Sequence, residues 1–336
     1  MPVSIKDVAR IAGVSPGTVS RALRDSPRVH PKTKERIHTI AEEMGYVPNT
    51  IARSLVTGQT YTVGLVVTTM TDPFLGSLAQ TVEFTANGHG YTVILTSSNN
   101  QPEREIAAAE MFQTRRVDGV IVTSSRIGAL YQKRLERLRV PVVLINSLAE
   151  YKSHNIYSIG VDNHHGGYLA TQHLLQKGHQ RIAYVASPPG RSDDEQRMAG
   201  YRDALDEAGI ALDPSLVVRG TGRAGGGERA LPVLLSLNEP PSAVFCYNDM
   251  TAIGLVHAAR EAGLSLPEEL AVVGFDDIAF AQFAYPSLTT LAQPVTALGE
   301  GAVEMVLALL ADDGADGGFV ANRLVRGRLV VRASSG

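Results

Sequence analysis

The sequence has a single cysteine, Cys246, so no internal disulfide can form. That residue sits in the apolar run SAVFCYND, where a buried, inert thiol is expected rather than a nucleophile. No apolar run approaches the roughly 20 residues that a membrane-spanning helix needs. HExxH and Cys/His clusters are also missing; the nine histidines include the pair His164 and His165 but no further ligands beside them, so neither a metal nor any other cofactor is expected. The opening MPVSIKDVAR has Asp at position 7 and no apolar core, which does not read as a secretory signal. The expected location is the cytoplasm, with no membrane partner. The closing LVRGRLVVRASSG carries no leucine heptads, so a tetramer built on a terminal coiled coil is not expected.

Charge is sparse, at 19% of residues, and nearly balanced at −3, but it is unevenly spread. The first 60 residues hold nine Lys/Arg against five Asp/Glu, and the remainder 22 against 29. A basic head on an acidic body points to nucleic acid at one end of the chain. At 336 residues there is material for two or three domains.

The head reads as short helices. Ser4 is a suitable N-cap for IKDVARIA, whose Ile5, Val8, Ala9 and Ala12 share a face, and Gly13 can end that helix at positive φ. Ser15 caps a second helix with Pro16 at its first position, turning Val19, Ala22 and Leu23 inward. KTKERIHTIAEEMG makes a third helix around Ile37, Ile40, Ala41 and Met44. From Tyr61 the pattern changes to apolar runs, TVGLVVT, YTVILTS, DGVIVTS, VPVVLIN, RIAYVAS, SAVFCYN and LAVVGFD, separated by amphipathic segments near 74–88, 164–177, 195–209 and 250–263. Continuous apolar runs alternating with helices imply parallel strands covered on both faces, a doubly wound α/β body.

Those strands run into polar residues: Asp72, Ser97 to Asn99, Ser124 to Arg126, Asn146, Asp162, Asn248–Asp249 and Asp276–Asp277. In open α/β sheets, ligands bind beyond the carboxyl ends of the strands, so these residues are candidates to ring one crevice. The competing reading makes them ordinary helix N-caps.

The stretch GVSPGTVSRAL, Gly13 to Leu23, suits a helix-turn-helix: a small residue, Ala9, where helices cross, Gly13 at the turn, and Val14, Val19 and Ala22 inward. Small side chains at its start let such a helix lie close to the floor of the major groove. Thr18 and Ser20 can reach phosphates, and Arg21 is the one long donor able to pair with a guanine. Further on, in VPNTIARSLVTGQT, Pro48 breaks the chain and Asn49 can cap a helix too short to stand alone, in which Leu55 would be a wedge for a minor-groove step.

SIKDVARIAGVSPGTVSRAL, GYVPNTIARSL, KGHQRIAYVASP, RMAGY, FCYND and VVGFDD through SLTTLAQP follow one another in an order that resembles the LacI/GalR family of bacterial transcription regulators. The resemblance implies a helix-turn-helix domain over 1–47, a hinge helix and linker over 48–60, and a two-lobed core over 61–336 similar to periplasmic sugar-binding proteins. The lobes are expected at about 61–161 with 292–321, and 162–291 with 322–336. It further implies a repressor that works as a homodimer on a near-palindromic operator under control of a small effector, a sugar or sugar derivative first and a purine or nucleoside second. The implied DNA-contacting residues are Ser4, Ser15, Pro16, Gly17, Thr18, Ser20, Arg21, Tyr46, Asn49 and Leu55. The implied effector residues are Asp72, Phe74, Ser124, Asn146, Arg197, Asn248, Asp276 and Gln293, with Phe facing a sugar ring and Arg, Asp and Asn holding adjacent hydroxyls. Pro16 and Gly17 stand where family members often carry base-reading side chains, and Gly222 where many place a pocket aromatic. For Arg197 the competing reading is a surface pair with Asp193 or Asp194.

Other classes stay open at this point. Gly220, Gly222 and Gly225 spell GxGxxG after SLVVRG, with Asp249 near the expected acidic position, as in a nicotinamide-dependent oxidoreductase; against it, Pro232 is expected to interrupt the following helix. A periplasmic carrier would need an export signal and no basic head. Asp249, Asp276 and Asp277 could serve acid–base chemistry, yet carboxylates bind hydroxyls equally well without turnover.

Overall fold

Ser4 begins the first helix, α1 (Ile5–Ala12), and its N–H and hydroxyl both donate to the Asp7 carboxylate, at 3.1 and 2.7 Å. Gly13 ends the helix at φ 62°, a conformation that costs glycine little, and Val14 N–H returns to the Ala9 carbonyl. The turn delivers α2 (Pro16–Ala22), and α3 (Pro31–Glu43) closes the bundle over a core of Val8, Ala9, Ala12, Val19, Ala22, Val29, Ile37 and Ala41. The structure, a computed structural model, describes residues 3–47, 54, 58–123, 134–135, 137–146, 155–311 and 322–336. The chain divides into two units, Met1–Thr60 and Tyr61–Gly336, and the bundle belongs to the first.

The second unit holds two sheets. Its first elements are β1 (Thr62–Val67), α4 (Pro73–Gly88), β2 (Thr92–Ser97), α5 (Pro102–Thr114), β3 (Gly119–Thr123), β4 (Val142–Ile145) and β5 (Ile156–Val161). The chain then crosses over through α6 (Asn163–Gln176) to β6 (Ile182–Ala186), α7 (Ser192–Glu207), β7 (Val217–Arg219), α8 (Ala224–Leu235), β8 (Ala243–Cys246), α9 (Asp249–Glu261), β9 (Ala271–Asp276) and β10 (Thr289–Ala292). It returns in α10 (Val295–Ala311), which packs on α4, and ends in β11 (Asn322–Val325) and β12 (Arg328–Val330). The strand orders are β11-β5-β4-β3-β1-β2 and β12-β10-β9-β8-β6-β7, parallel throughout except where β12 meets β10. This is the doubly wound, two-lobed architecture expected.

Three expectations need correction. Strand β11 pairs with β5, so 322–325 belongs to the first lobe rather than the second, and the last crossing falls between Val325 and Arg328. The crossing passes through Gly327, where a Cβ would lie 2.6 Å from the Ala292 carbonyl. Strand β2 is not covered on both faces: as an edge strand with β1 as its neighbour, it leaves Ile94 and Leu95 partly exposed. Pro232 does not interrupt its helix, since α8 runs through it to Leu235. Proline is usually a breaker in a helix interior, and the tertiary packing of α8 on α9 outweighs that here.

The helix pairs of the second lobe meet backbone to backbone at glycines. A Cβ on Gly167 of α6 would come 2.2 Å from the Arg197 carbonyl of α7, and one on Gly200 would come 2.0 Å from the His164 carbonyl. Neither neighbour is a flexible side-chain end, so the helices must separate. Gly167→Ala is expected to cost about 1–3 kcal/mol of core stability, as overpacked interiors do. Urea unfolding checks it, with a lower midpoint at unchanged m-value the expected outcome. Among the described residues no helix is long and apolar enough to cross a membrane.

Candidate functional site

In the head, α2 presents its small N-terminal face outward. Ser15 accepts the Thr18 N–H at 3.1 Å and pairs with the Thr18 hydroxyl at 2.9 Å, fixing the first turn. Arg21 is exposed and lies back along that turn: its Nη2 is 3.5 Å from Thr18 Oγ1, and its guanidinium passes 3.7 Å from where a Gly17 Cβ would stand. A Cβ at 17 would therefore make only ordinary contact with the guanidinium. Ser20 accepts from Arg24 Nη2 at 3.1 Å, which adds a second cation to the same surface that the sequence reading had not singled out. Pro16 is exposed at the first helical position, whereas Tyr46 packs half-buried against the bundle. Asn49 and Leu55 lie outside the described residues, as does Ser124 of the second unit.

In the second unit the carboxyl ends of both sheets border one cavity of about 560 Å³. Asp72, Phe74, Asn146, Arg197, Asn248, Asp276 and Gln293 all line it. The candidate crevice residues divide into two groups. Asp162 caps α6, Asp249 is buried against Thr290 and the Ile278 N–H, and Asp277 pairs with Arg332; none of the three lines the cavity. Asp72 and Asn248 do both jobs, capping α4 and α9 through the N–H groups of Phe74 and Thr251 while bordering the space. Among the described residues Asn146 and Asp276 cap no helix. They are aimed by backbone at φ 53° and 123°, a region that side-chain-bearing residues seldom occupy.

Arg197 is 2% exposed, which rules out the surface-pair reading. Its Nε donates to Asn163 Oδ1 at 2.9 Å and its Nη1 to the Tyr247 carbonyl at 2.6 Å, while the guanidinium stacks 3.5 Å from the Phe275 ring centroid and 4.7 Å from that of Tyr247. These contacts leave Nη2 for the cavity. The partner of Asp193 is instead Arg191, in a bidentate pair at 3.0 and 2.7 Å, with the Tyr247 hydroxyl donating to the same carboxylate at 2.6 Å. Arg191, Asp193 and Tyr247 all line the cavity and were missed. Tyr247 stood in the quoted FCYND, and its ring edge borders the place where Gly222 provides no side chain, so an aromatic wall arrives from the end of β8.

The carboxylates differ in character. Burial works against the charge of Asp193, yet Arg191, Arg197 and the Tyr247 hydroxyl hold it well below the usual range. Asp72 is raised by burial, with Arg191 and Arg197 too weak to offset it. Burial raises Asp276 well above a normal carboxylate against the pull of Arg197, and Asp249 and Asp72 push the same way. Three arginines, Arg191, Arg197 and Arg223, and three carboxyls, Asp72, Asp193 and Asp276, border this space, and such a mixed set of donors and acceptors suits a hydroxyl-rich molecule. Cys246 is fully buried, which pushes its thiol up and leaves it a poor nucleophile.

Comparison with known proteins agrees with both units. Residues 4–49 match the model of the bacterial regulatory proteins of the lacI family, and residues 171–335 match a periplasmic binding protein-like domain. The chain is 37% identical over 306 residues, 91% of its length and 89% of the other, to the HTH-type transcriptional regulator GalR of Escherichia coli strain K12. It is 33% identical to the transcriptional repressor CytR of the same strain, over 99% of this chain and 96% of that one. Among solved structures it is similar to the lac repressor dimer bound to operator and the anti-inducer ONPF, with a TM-score of 0.88, 27% identity and coverage of 100% and 99%. It is also similar to a complex of the regulator CelR with cellobiose, with a TM-score of 0.74, 29% identity and 99% of both chains covered. With its helix-turn-helix head, its two-lobed core and these relatives, the chain belongs to the lacI family of bacterial regulatory proteins and is a DNA-binding transcriptional regulator.

Proposed function

We propose that this regulator is a cytoplasmic repressor that binds a near-palindromic operator as a homodimer, and that a sugar or sugar derivative bound between the core lobes controls its affinity for DNA. The observation that carries the effector reading is the cavity itself, where Asp276 and Arg197 each commit part of their hydrogen-bonding capacity to the protein and keep the rest for a guest. Two related structures hold sugars, one cellobiose and the other D-xylulofuranose. The dimer is supported by exposed apolar residues on both lobes: Phe84, Ile94 and Leu95 on the first, and Phe280, Phe283 and Tyr285 on the second. In this reading Arg21 reads a base, Thr18, Ser20 and Ser15 face phosphates, and Ser4, Pro16, Gly17 and Tyr46 set the fit of the head on the duplex.

A thermal-shift screen of sugars, sugar derivatives, nucleosides and purines tests the effector class. A ligand at 100 times its Kd stabilises the form that binds it by about 2.7 kcal/mol. A shift from sugars alone is the expected result. A shift from purines or nucleosides alone replaces the sugar reading, and no shift from any of them removes both.

A further inference from the structure

Two hydrogen-bonded arms run from the cavity's charged residues and meet at one residue of the other lobe. On the first arm, Arg197 Nε donates to Asn163 Oδ1 at 2.9 Å, and Asn163 Nδ2 donates to the Val161 carbonyl at 3.2 Å. On the second, the Val161 N–H donates to Asn146 Oδ1 at 3.0 Å, Asn146 Nδ2 to Gln293 Oε1 at 2.9 Å, and Gln293 Nε2 to Asp276 Oδ1 at 2.6 Å. Val161 is the last residue of β5, and Asn146 follows β4, both in the first sheet. Asp276 ends β9 and Arg197 lies in α7, both in the second lobe. Asn163 and Gln293 sit where the chain passes from one lobe to the other.

We propose that this chain, Arg197–Asn163–Val161–Asn146–Gln293–Asp276, couples the two lobes, with Asn163, Asn146 and Gln293 as positioning residues that aim Arg197 Nη2 and Asp276 Oδ2 into the cavity. The inference rests on geometry and not on the identity of the guest. Each linking side chain spends both its donor and its acceptor on the chain, and Asn163 and Gln293 are 5% and 7% exposed, so water cannot readily replace a lost link. The backbone of Asn146 is held at φ 53°, which turns its amide toward both Val161 and Gln293. The guanidinium of Arg197 is charged, so its bond to Asn163 is of the stronger, charge-assisted kind. A shift of the lobes that separates Val161 from Asn163, or Asn146 from Gln293, therefore re-aims the two charged groups at once.

The experiment uses the ligand-free full chain and reads amide hydrogen exchange at Val161. Gln293→Met keeps length and volume but removes both hydrogen bonds, and Gln293→Asn keeps the amide one methylene too short to reach both partners. Either variant is expected to speed Val161 exchange about tenfold, the effect of a net hydrogen bond, although Gln293 does not touch Val161. Asn146→Gly, which tolerates the positive φ, should speed it similarly, and combining it with the Gln293 change should add nothing further. A packing role for Gln293 alone would leave Val161 unchanged. Wild-type exchange at Val161 in a folded Gln293 variant, or effects that add in the double variant, would overturn the proposal.

Discussion

Replacing Arg197 by alanine is expected to abolish effector binding to the core and to destabilise the core by about 2–5 kcal/mol, while DNA binding by the ligand-free protein stays near normal. The loss of stability follows from burial. The guanidinium fills the space between Phe275 and Tyr247, and its removal strands Asn163 Oδ1 and the Tyr247 carbonyl. The loss of binding follows from Nη2, the nitrogen of that group that makes no hydrogen bond to the protein, and from the field at Asp276, whose charge Arg197 favours. Arg197→Lys separates the two effects: it keeps the charge but cannot supply three donors in a planar fork, so it should recover part of the stability and little of the binding. The head is unaffected because its bundle closes on its own core. Calorimetric titration of the ligand found by thermal shift, with urea unfolding of the same variants, checks both halves. Undiminished ligand affinity in Arg197→Ala would remove this residue from the site.

The second large effect concerns Arg21. Arg21→Ala is expected to cost about 1–3 kcal/mol per half-site and to relax preference at one base pair in each half of the operator. The side chain is exposed and its contact with Thr18 is long at 3.5 Å, so little is lost in redirecting it to a base edge. With proline and glycine at the preceding positions of the helix, direct reading falls on this one side chain. Arg24→Ala, by contrast, should weaken binding about equally across sequences and reduce the salt dependence, as a phosphate contact does. Selection of bound sites from random duplexes by wild type and both variants makes the comparison. An unchanged preference in Arg21→Ala would mean that the base is read elsewhere.

The fold was legible because its signals are local. Apolar runs of five or six residues ending in polar ones mark parallel strands, and Ser15–Pro16 and Gly13 mark a helix start and stop whatever lies around them. The seven described effector candidates, which the family resemblance implied, all border the cavity, Arg197 from within α7 and most of the others from just beyond strand ends. What the sequence could not display was pairing across long separations. Asn146 and Gln293 are 147 residues apart, and their contact depends on the register of two sheets that no local pattern sets. Arg191 falls outside every motif quoted from the sequence, and it reaches the cavity paired with Asp193. Tyr247 was visible but unassigned, since an aromatic at the end of a buried strand looks like core until Gly222 is seen to leave its edge open. Strand β11 was misplaced because its pairing with β5 joins Asn322 to Ser158 across a separation that no local pattern sets.

The central claim is that occupancy of the core cavity sets affinity for DNA, and linkage makes it measurable from either side. Operator Kd with and without saturating effector, and effector Kd with and without operator, should change by the same factor, in the range of about 5- to 150-fold typical of such coupling. Equal factors are expected in wild type and a factor of one in Arg197→Ala; an operator affinity that ignores a ligand shown to fill the cavity would contradict this coupling.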